Sequence, residues 1–230
     1  MKTIGLLGGV SWSSTIIYYK ILNELVHERL GGQHSAKILL KSIDYHDIQN
    51  AYGKDHDRVA SLLEEELMGF IALKPDCIVI CCNTLHKYYD IIKERLSSKI
   101  PVFHALDLVV QQLQRQHCKK VLLLATKNAL EDSFFATKLE QHEIEVTIPN
   151  QIEREEIRKI HDELMQDVVT EESKKFFSDL IQSHRDLDAV ILGCTELPLV
   201  IDQKSSVLFI IDPILLQTSA AVDYVLAEHA

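Results

Sequence analysis

Two cysteines stand in matching surroundings. The segment Asp76-Cys77-Ile78-Val79-Ile80-Cys81-Cys82-Asn83-Thr84-Leu85 reads like Asp188-Ala189-Val190-Ile191-Leu192-Gly193-Cys194-Thr195-Glu196-Leu197. Each has an acid, an apolar run, a small residue or cysteine, a cysteine, a polar pair and a leucine. A buried cysteine at a strand end is usually a small core residue. Two in matched contexts, each followed by polar residues, point instead to a pair of acid/base groups. Taking a proton off an α-carbon and returning it to the opposite face needs one such group per face. Cysteine suits this chemistry, since its ordinary pKa is about 8.5 and a strand-to-helix turn lowers it through the helix N-terminus. One site must start as thiolate and the other as thiol. An α-proton is weakly acidic, so preorganised donors must stabilise the carbanion-like state while water is excluded. Asn83, Thr84 and Thr195 follow the cysteines directly and are candidates to donate hydrogen bonds to a carboxylate.

The remaining reactive residues read more plainly. Cys81 is expected in the core, because adjacent strand residues face opposite ways, and Cys77 shares its parity. The vicinal Cys81-Cys82 pair is not a Cys-x-x-Cys redox motif, and Cys118 beside His117 is incidental. Of the eleven histidines, His46 and His56 read as surface groups whose spacing supports no metal site. His86 and His104 are placed to tune a thiolate, with a structural hydrogen bond the expected role of each. Gly5-Leu6-Leu7-Gly8-Gly9-Val10-Ser11 follows a strand and precedes a helix that Ser13 or Ser14 could cap. Such a turn either offers backbone N–H groups to an anion or simply joins strand to helix. No Gly-Lys-Ser/Thr follows, so it is not a P-loop.

The elements that must position these residues alternate. Short runs rich in Val, Ile and Leu predict buried strands at 3–7, 36–43, 77–81, 121–125, 189–192 and 207–211. Amphipathic stretches predict helices at 14–30, 57–73, 87–96, 106–116, 153–165, 171–183 and 213–226. This alternation indicates an α/β fold with mainly parallel sheets. Lys2–Gly8 also resembles the segment beginning at Lys120, so the chain reads as two similar lobes related by a pseudo-two-fold duplication. The first lobe is expected over residues 1–103 plus 212–230 and carries Cys82; the second spans 104–211 and carries Cys194. Open parallel sheets bind ligands beyond their strands' carboxyl ends, which predicts two thiols presented to a cleft between the lobes. The polar segment 45–54 reads as a mobile lid.

Composition narrows the partners. The chain has 230 residues, 47% of them hydrophobic, enough to fill a core. Its formal charge of -10 disfavours nucleic acid and anionic membranes. The same charge means that an acidic substrate would need local donors. No apolar run approaches membrane-spanning length, and no signal peptide is evident. Five cysteines without a secreted disulfide framework suggest free thiols in a reducing cytoplasm.

Gly8-Gly9-Val10-Ser11-Trp12, Tyr18-Tyr19, Cys82-Asn83-Thr84-Leu85-His86-Lys87 and Gly193-Cys194-Thr195-Glu196-Leu197 together resemble the aspartate/glutamate racemase family. Arg29-Leu30-Gly31-Gly32 and Ser42-Ile43-Asp44 extend the resemblance across nearly the whole chain. It implies two similar α/β lobes, no pyridoxal phosphate or other cofactor, no metal and a homodimer. It also implies that Cys82 and Cys194 are the catalytic pair, that Asn83, Thr84 and Thr195 hold the substrate α-carboxylate, and that Ser11 and Thr126 are neighbours. The chain departs from the family pattern at Val10, at Ser13, over Ala125–Leu130 and at Gln217, where His is expected. No Arg or Lys can be singled out to receive a side-chain carboxylate.

The activity expected is racemisation of aspartate or glutamate by two-base proton transfer. A broad-specificity amino-acid racemase, a maleate-type isomerase and a hydantoin racemase share the superfamily resemblance. A one-thiol decarboxylase fits less well, since both cysteines are present. In another class stands a non-catalytic amino-acid binding or sensor protein, which would bind aspartate without exchanging its α-proton.

Overall fold

A computed structural model describes residues 1–166 and 168–227, apart from the side chains of residues 128 and 131. The chain divides into two compact units, residues 1–105 with those from 214 onward, and residues 106–213. Residues 228–230, expected to close the first lobe, lie outside the described residues. Among the described residues no helix is long and apolar enough to cross a membrane.

The first unit is a parallel sheet with helices on both faces. Strand β1 (Ile4–Gly8) lies between β2 (Ile38–Ser42) and β3 (Cys77–Ile80). A single parallel bridge from Ile78 to Val102 extends the β3 edge. β1 and β3 are buried throughout, which is why both read as continuous apolar runs. Ile4, Leu6, Cys77 and Val79 form one core with α1 (Trp12–Leu30) and α10 (Pro213–Leu226). Leu7, Ile78 and Ile80 form the other with α2 (His46–Ala51), α3 (His56–Ile71) and α4 (Leu85–Ile92).

The second unit repeats this order. Strand β4 (Lys120–Leu124) lies between β5 (Glu145–Thr147) and β6 (Ala189–Leu192), with β7 (Phe209–Ile211) beyond β6 and all pairs parallel. Leu122, Leu124, Val190 and Leu192 pack on α8 (Gln151–Leu164) and α9 (Glu171–Ser183). The unit also contains α5 (Ala105–Arg115), α6 (Lys127–Glu131) and α7 (Phe134–Glu140). Both units thus place their first strand between the second and third.

The aspartates opening the two repeat segments play the same part. Asp76 Oδ2 accepts from Thr3 N–H at 2.6 Å, and Asp76 N–H donates to Thr3 O at 2.9 Å. Asp188 Oδ2 accepts from Lys119 and Lys120 N–H at 2.7 and 2.8 Å, while its own N–H donates to Lys120 O at 2.8 Å. In each unit the acid ties the start of the third strand to the start of the first. Register corrects one detail of the repeat. Ile4 pairs with Cys77 and Val121 with Ala189, so Lys2 corresponds to Lys119 rather than Lys120.

Other local expectations change too. The sequence pattern does not predict β5, α6 or α7, because three-residue edge strands and helices of five to seven residues carry too few apolar repeats. Helix α1 starts at Trp12 and is capped by Ser11 rather than Ser13 or Ser14: Ser11 Oγ accepts from Ser14 N–H at 3.2 Å. The segment read as a lid contains α2, anchored by the buried Ile48.

Candidate active site

In the first unit Cys82 lies two residues past β3 and is half-buried against the core of α3 and α4. Its neighbour Cys81 is buried in the opposite core, as strand alternation requires. Burial raises the thiol pKa of Cys81 well above normal, and Cys82 beside it adds to the shift. Cys77 is pushed up to about 12, by burial and then by Asp76. Both are therefore inert thiols. Cys82 Sγ lies 3.2 Å from Thr84 Oγ1, and Thr84 stands at the entry to α4. Asn83 is buried.

His86 is enclosed at the start of α4. Its Nδ1 donates to Cys82 O at 3.0 Å, because a carbonyl can only accept, and its Nε2 accepts from Gln217 Nε2 at 3.3 Å. This fixes a neutral imidazole. Burial, followed by His104 nearby, holds its pKa at about 3. Gln217 is itself buried, accepting from Tyr18 Oη at 2.7 Å and donating to Phe103 O at 2.7 Å. An amide supplies both donor and acceptor at once, which a neutral histidine at this position would do with different reach. His86 and Gln217 thus set the backbone that carries Cys82. His104 packs edge-on to His86 at 4.6 Å and faces Asp90 at 3.4 Å.

The Gly-Gly turn also has a structural occupation. Gly9 sits at φ +96°, and a Cβ there would fall 2.2 Å from Ile43 O, so only glycine is accommodated. Its N–H donates to Thr15 Oγ1 at 3.0 Å. Ser11, expected beside the substrate, bonds the Ser13 and Ser14 hydroxyls at 2.9 Å as the α1 cap. Tyr45 lies near Cys82; burial, then Cys82 and Tyr88, pushes its hydroxyl pKa strongly upward.

In the second unit Cys194 stands two residues past β6, the station Cys82 holds past β3. Its Sγ–H donates to Glu196 Oε2 at 2.9 Å, and Thr195 Oγ1 donates to the same oxygen at 3.0 Å. Glu196 is buried. His161 Nε2, from α8, lies 3.8 Å from that oxygen. Cys194 opens onto a small pocket lined also by Thr126, Lys127, Arg154, Arg158 and His161. Thr126 and Cys194 therefore share a pocket, while Thr195 is outside its lining. His161, Cys194 and Glu196 bring a nitrogen, a sulfur and an oxygen within 4.8 Å of one another, a donor set of zinc-binding type. Lys127, Arg154 and Arg158 around the pocket favour an anion over a cation there.

Sequence reasoning does not assign Glu196, His161 or Arg154. Glu196 has a signal: in the repeat it takes the place of Thr84, and each bonds the sulfur two residues before it. His161 and Arg154 have none, because only the packing of α8 on the sheet brings them to Cys194.

A model of the family described as Asp/Glu/hydantoin racemase matches residues 7–224 of the chain. The chain is 24% identical over 161 residues to the broad specificity amino-acid racemase RacX of Bacillus subtilis, spanning 69% of this chain and 68% of that protein. It is 35% identical to a Yersinia pestis protein provisionally described as an Asp/Glu racemase. The two structures match with a TM-score of 0.86 over 98% of this chain and 100% of that one. An aspartate racemase homologue from Pyrococcus horikoshii OT3 matches at 28% identity and a TM-score of 0.85, over 97% and 99% of the two chains.

Proposed function

Because the chain belongs to the Asp/Glu/hydantoin racemase family, we propose that it racemises aspartate or glutamate without a cofactor, using Cys82 and Cys194 as its two acid/base groups. One observation carries this reading. Each cysteine stands two residues past the third strand of its unit, hydrogen-bonded to the side chain two residues on. A thiolate takes the α-proton from one face of the substrate, and the other thiol gives its proton to the opposite face. The thiols exchange protonation states and the net charge of the site is conserved. Substrate of the other hand then runs the cycle in reverse.

The partners of the two sulfurs differ. Thr84 offers Cys82 a neutral hydroxyl, whereas Glu196 offers Cys194 a carboxylate that holds the thiol proton. Asn83, Thr84, Thr126 and, through its backbone N–H, Thr195 serve as donors to the α-carboxylate, with Ser11 holding the start of α1. The five cysteines form no disulfide among the described residues, as a reducing compartment such as the cytoplasm would keep them. A homodimer is the proposed assembly.

Proton NMR in D2O, with L- and D-amino acids and no added cofactor, tests the activity. The expected result is loss of the α-proton signal from both hands of aspartate or glutamate, ending in equal enantiomers. No exchange with any amino acid, from folded and reduced protein, would overturn it. Broad specificity is the second reading, favoured by the likeness to RacX. Comparable exchange across neutral amino acids in the same panel would select it.

A further inference from the structure

Helix α8 carries three cations, and two of them are engaged. Arg158 donates to Glu155 at 3.0 Å and to Asp162 at 2.9 Å. Lys159 donates to Glu156 at 2.8 Å. The remaining nearby acid, Glu153, is occupied at the helix start, accepting from Asn150 N–H at 2.7 Å in a capping box. Arg154 stands among these acids and pairs with none of them. Its Nε is buried without a hydrogen-bond partner among the described residues, and its side chain lines the pocket of Cys194. It also lines the adjoining hollow with Lys127, Gln151, Glu155 and Arg158.

A buried guanidinium nitrogen left unpaired costs free energy that native proteins rarely leave uncompensated. A carboxylate entering the pocket that Arg154 lines would supply that partner. A planar guanidinium matches a carboxylate in shape and charge and binds it through two parallel N–H donors. The protein as a whole is acidic, with a formal charge of -10, so long-range attraction does not bring an anion to this place. A local arginine does.

We infer that Arg154 receives the side-chain carboxylate of the substrate, setting the preference for acidic over uncharged amino acids. This rests on the racemase reading for the identity of the substrate, but not for the binding of a dicarboxylate. Lys127, lining the same pocket, adds positive charge beside it. Arg158 contributes little, since its guanidinium is exposed and already satisfied by two carboxylates.

Two measurements test the inference separately from the racemase reading. The first is calorimetric binding of succinate to the wild-type protein and to Arg154→Gln and Arg154→Lys. Losing a charge-assisted hydrogen bond should weaken binding about 10-fold or more in Arg154→Gln, with part recovered in Arg154→Lys. The second is the ratio of kcat/KM for aspartate to that for asparagine. It should fall at least about 30-fold in Arg154→Gln, because a merely structural defect would lower both substrates alike. Arg158→Gln should move the ratio by less than about twofold.

If succinate binds neither better nor worse in the variants, or does not bind the wild type, the assignment of Arg154 is wrong whatever the enzyme does. An unchanged ratio overturns it equally. If no amino acid loses its α-proton yet Arg154→Gln still weakens succinate, the racemase reading fails and the anion site stands.

Discussion

A thiol at the end of a buried strand does chemistry only if its proton has somewhere to go, and the two cysteines differ in that respect. Cys194 has the carboxylate of Glu196 at 2.9 Å; Cys82 has the hydroxyl of Thr84 at 3.2 Å. Under the proposed mechanism, Cys82→Ser and Cys194→Ser each lower racemisation by at least about 1,000-fold, as loss of one essential group in a coupled pair does. Circular dichroism should stay unchanged. Normal turnover in either variant would rule out two thiols. Glu196→Gln keeps the shape but cannot hold the proton as a carboxylate does, and kcat should fall by about 100-fold. His86 gives a prediction of stability. Its folded pKa is about 3 against about 6.5 when unfolded. Above pH 6.5 both states are neutral and its contribution is fully present. As pH falls toward 3, the unfolded chain takes up a proton that the folded one refuses, and stability is lost, by about 2 kcal/mol at pH 5. Urea unfolding at pH 7 and pH 5 measures this, and His86→Asn should remove most of that dependence.

At the scale of elements, a strand-to-helix connection delivers each cysteine, and two devices keep it in place. One is the aspartate clamp of Asp76 and Asp188, which aligns the third strand with the first before either cysteine is reached. The other is the closeness of neighbouring backbones. Gly193 would bring a Cβ to 2.9 Å from Ala125 Cβ and 3.0 Å from Leu124 O, and Gly9 would bring one to 2.2 Å from Ile43 O at a positive φ. Gly9→Ala should therefore cost about 2 kcal/mol or more, read as a lower urea midpoint with an unchanged slope. Gly9 and the Asp clamps were legible as parts of motifs. What they touch was not, because Ile43 and Thr3 are remote in sequence and meet them only through strand pairing.

For the molecule as a whole, the proposed homodimer has a surface suited to it. Trp12, Ile16 and Tyr19 on α1 are 73%, 56% and 51% exposed and share one face of the helix by their spacing. An exposed apolar stripe of this kind marks an association surface more often than bare solvent contact. Sedimentation should give a dimer for the wild type and a larger monomer fraction for Ile16→Glu. A wild-type monomer at all concentrations would refute the assembly.

The α/β alternation, the parallel sheets, the two lobes and the family were legible in the sequence because each rests on local pattern. Buried strands show as apolar runs, helices as 3.6-residue periodicity, and the two cysteine segments as a repeat. Glu196 was visible too, at the position matching Thr84, but its meaning needed the hydrogen bond to Cys194. Other features belonged to the tertiary structure alone. The neutral state of His86 follows from complete burial and from Gln217, far along the chain. The pairing of Arg158, and the lack of an acid partner for Arg154 among the described residues, follow from which acids the α8 surface and cap engage. Sequence records which residues are available, whereas burial and hydrogen bonding across long separations decide which remain unsatisfied, and an unsatisfied group is what a ligand completes.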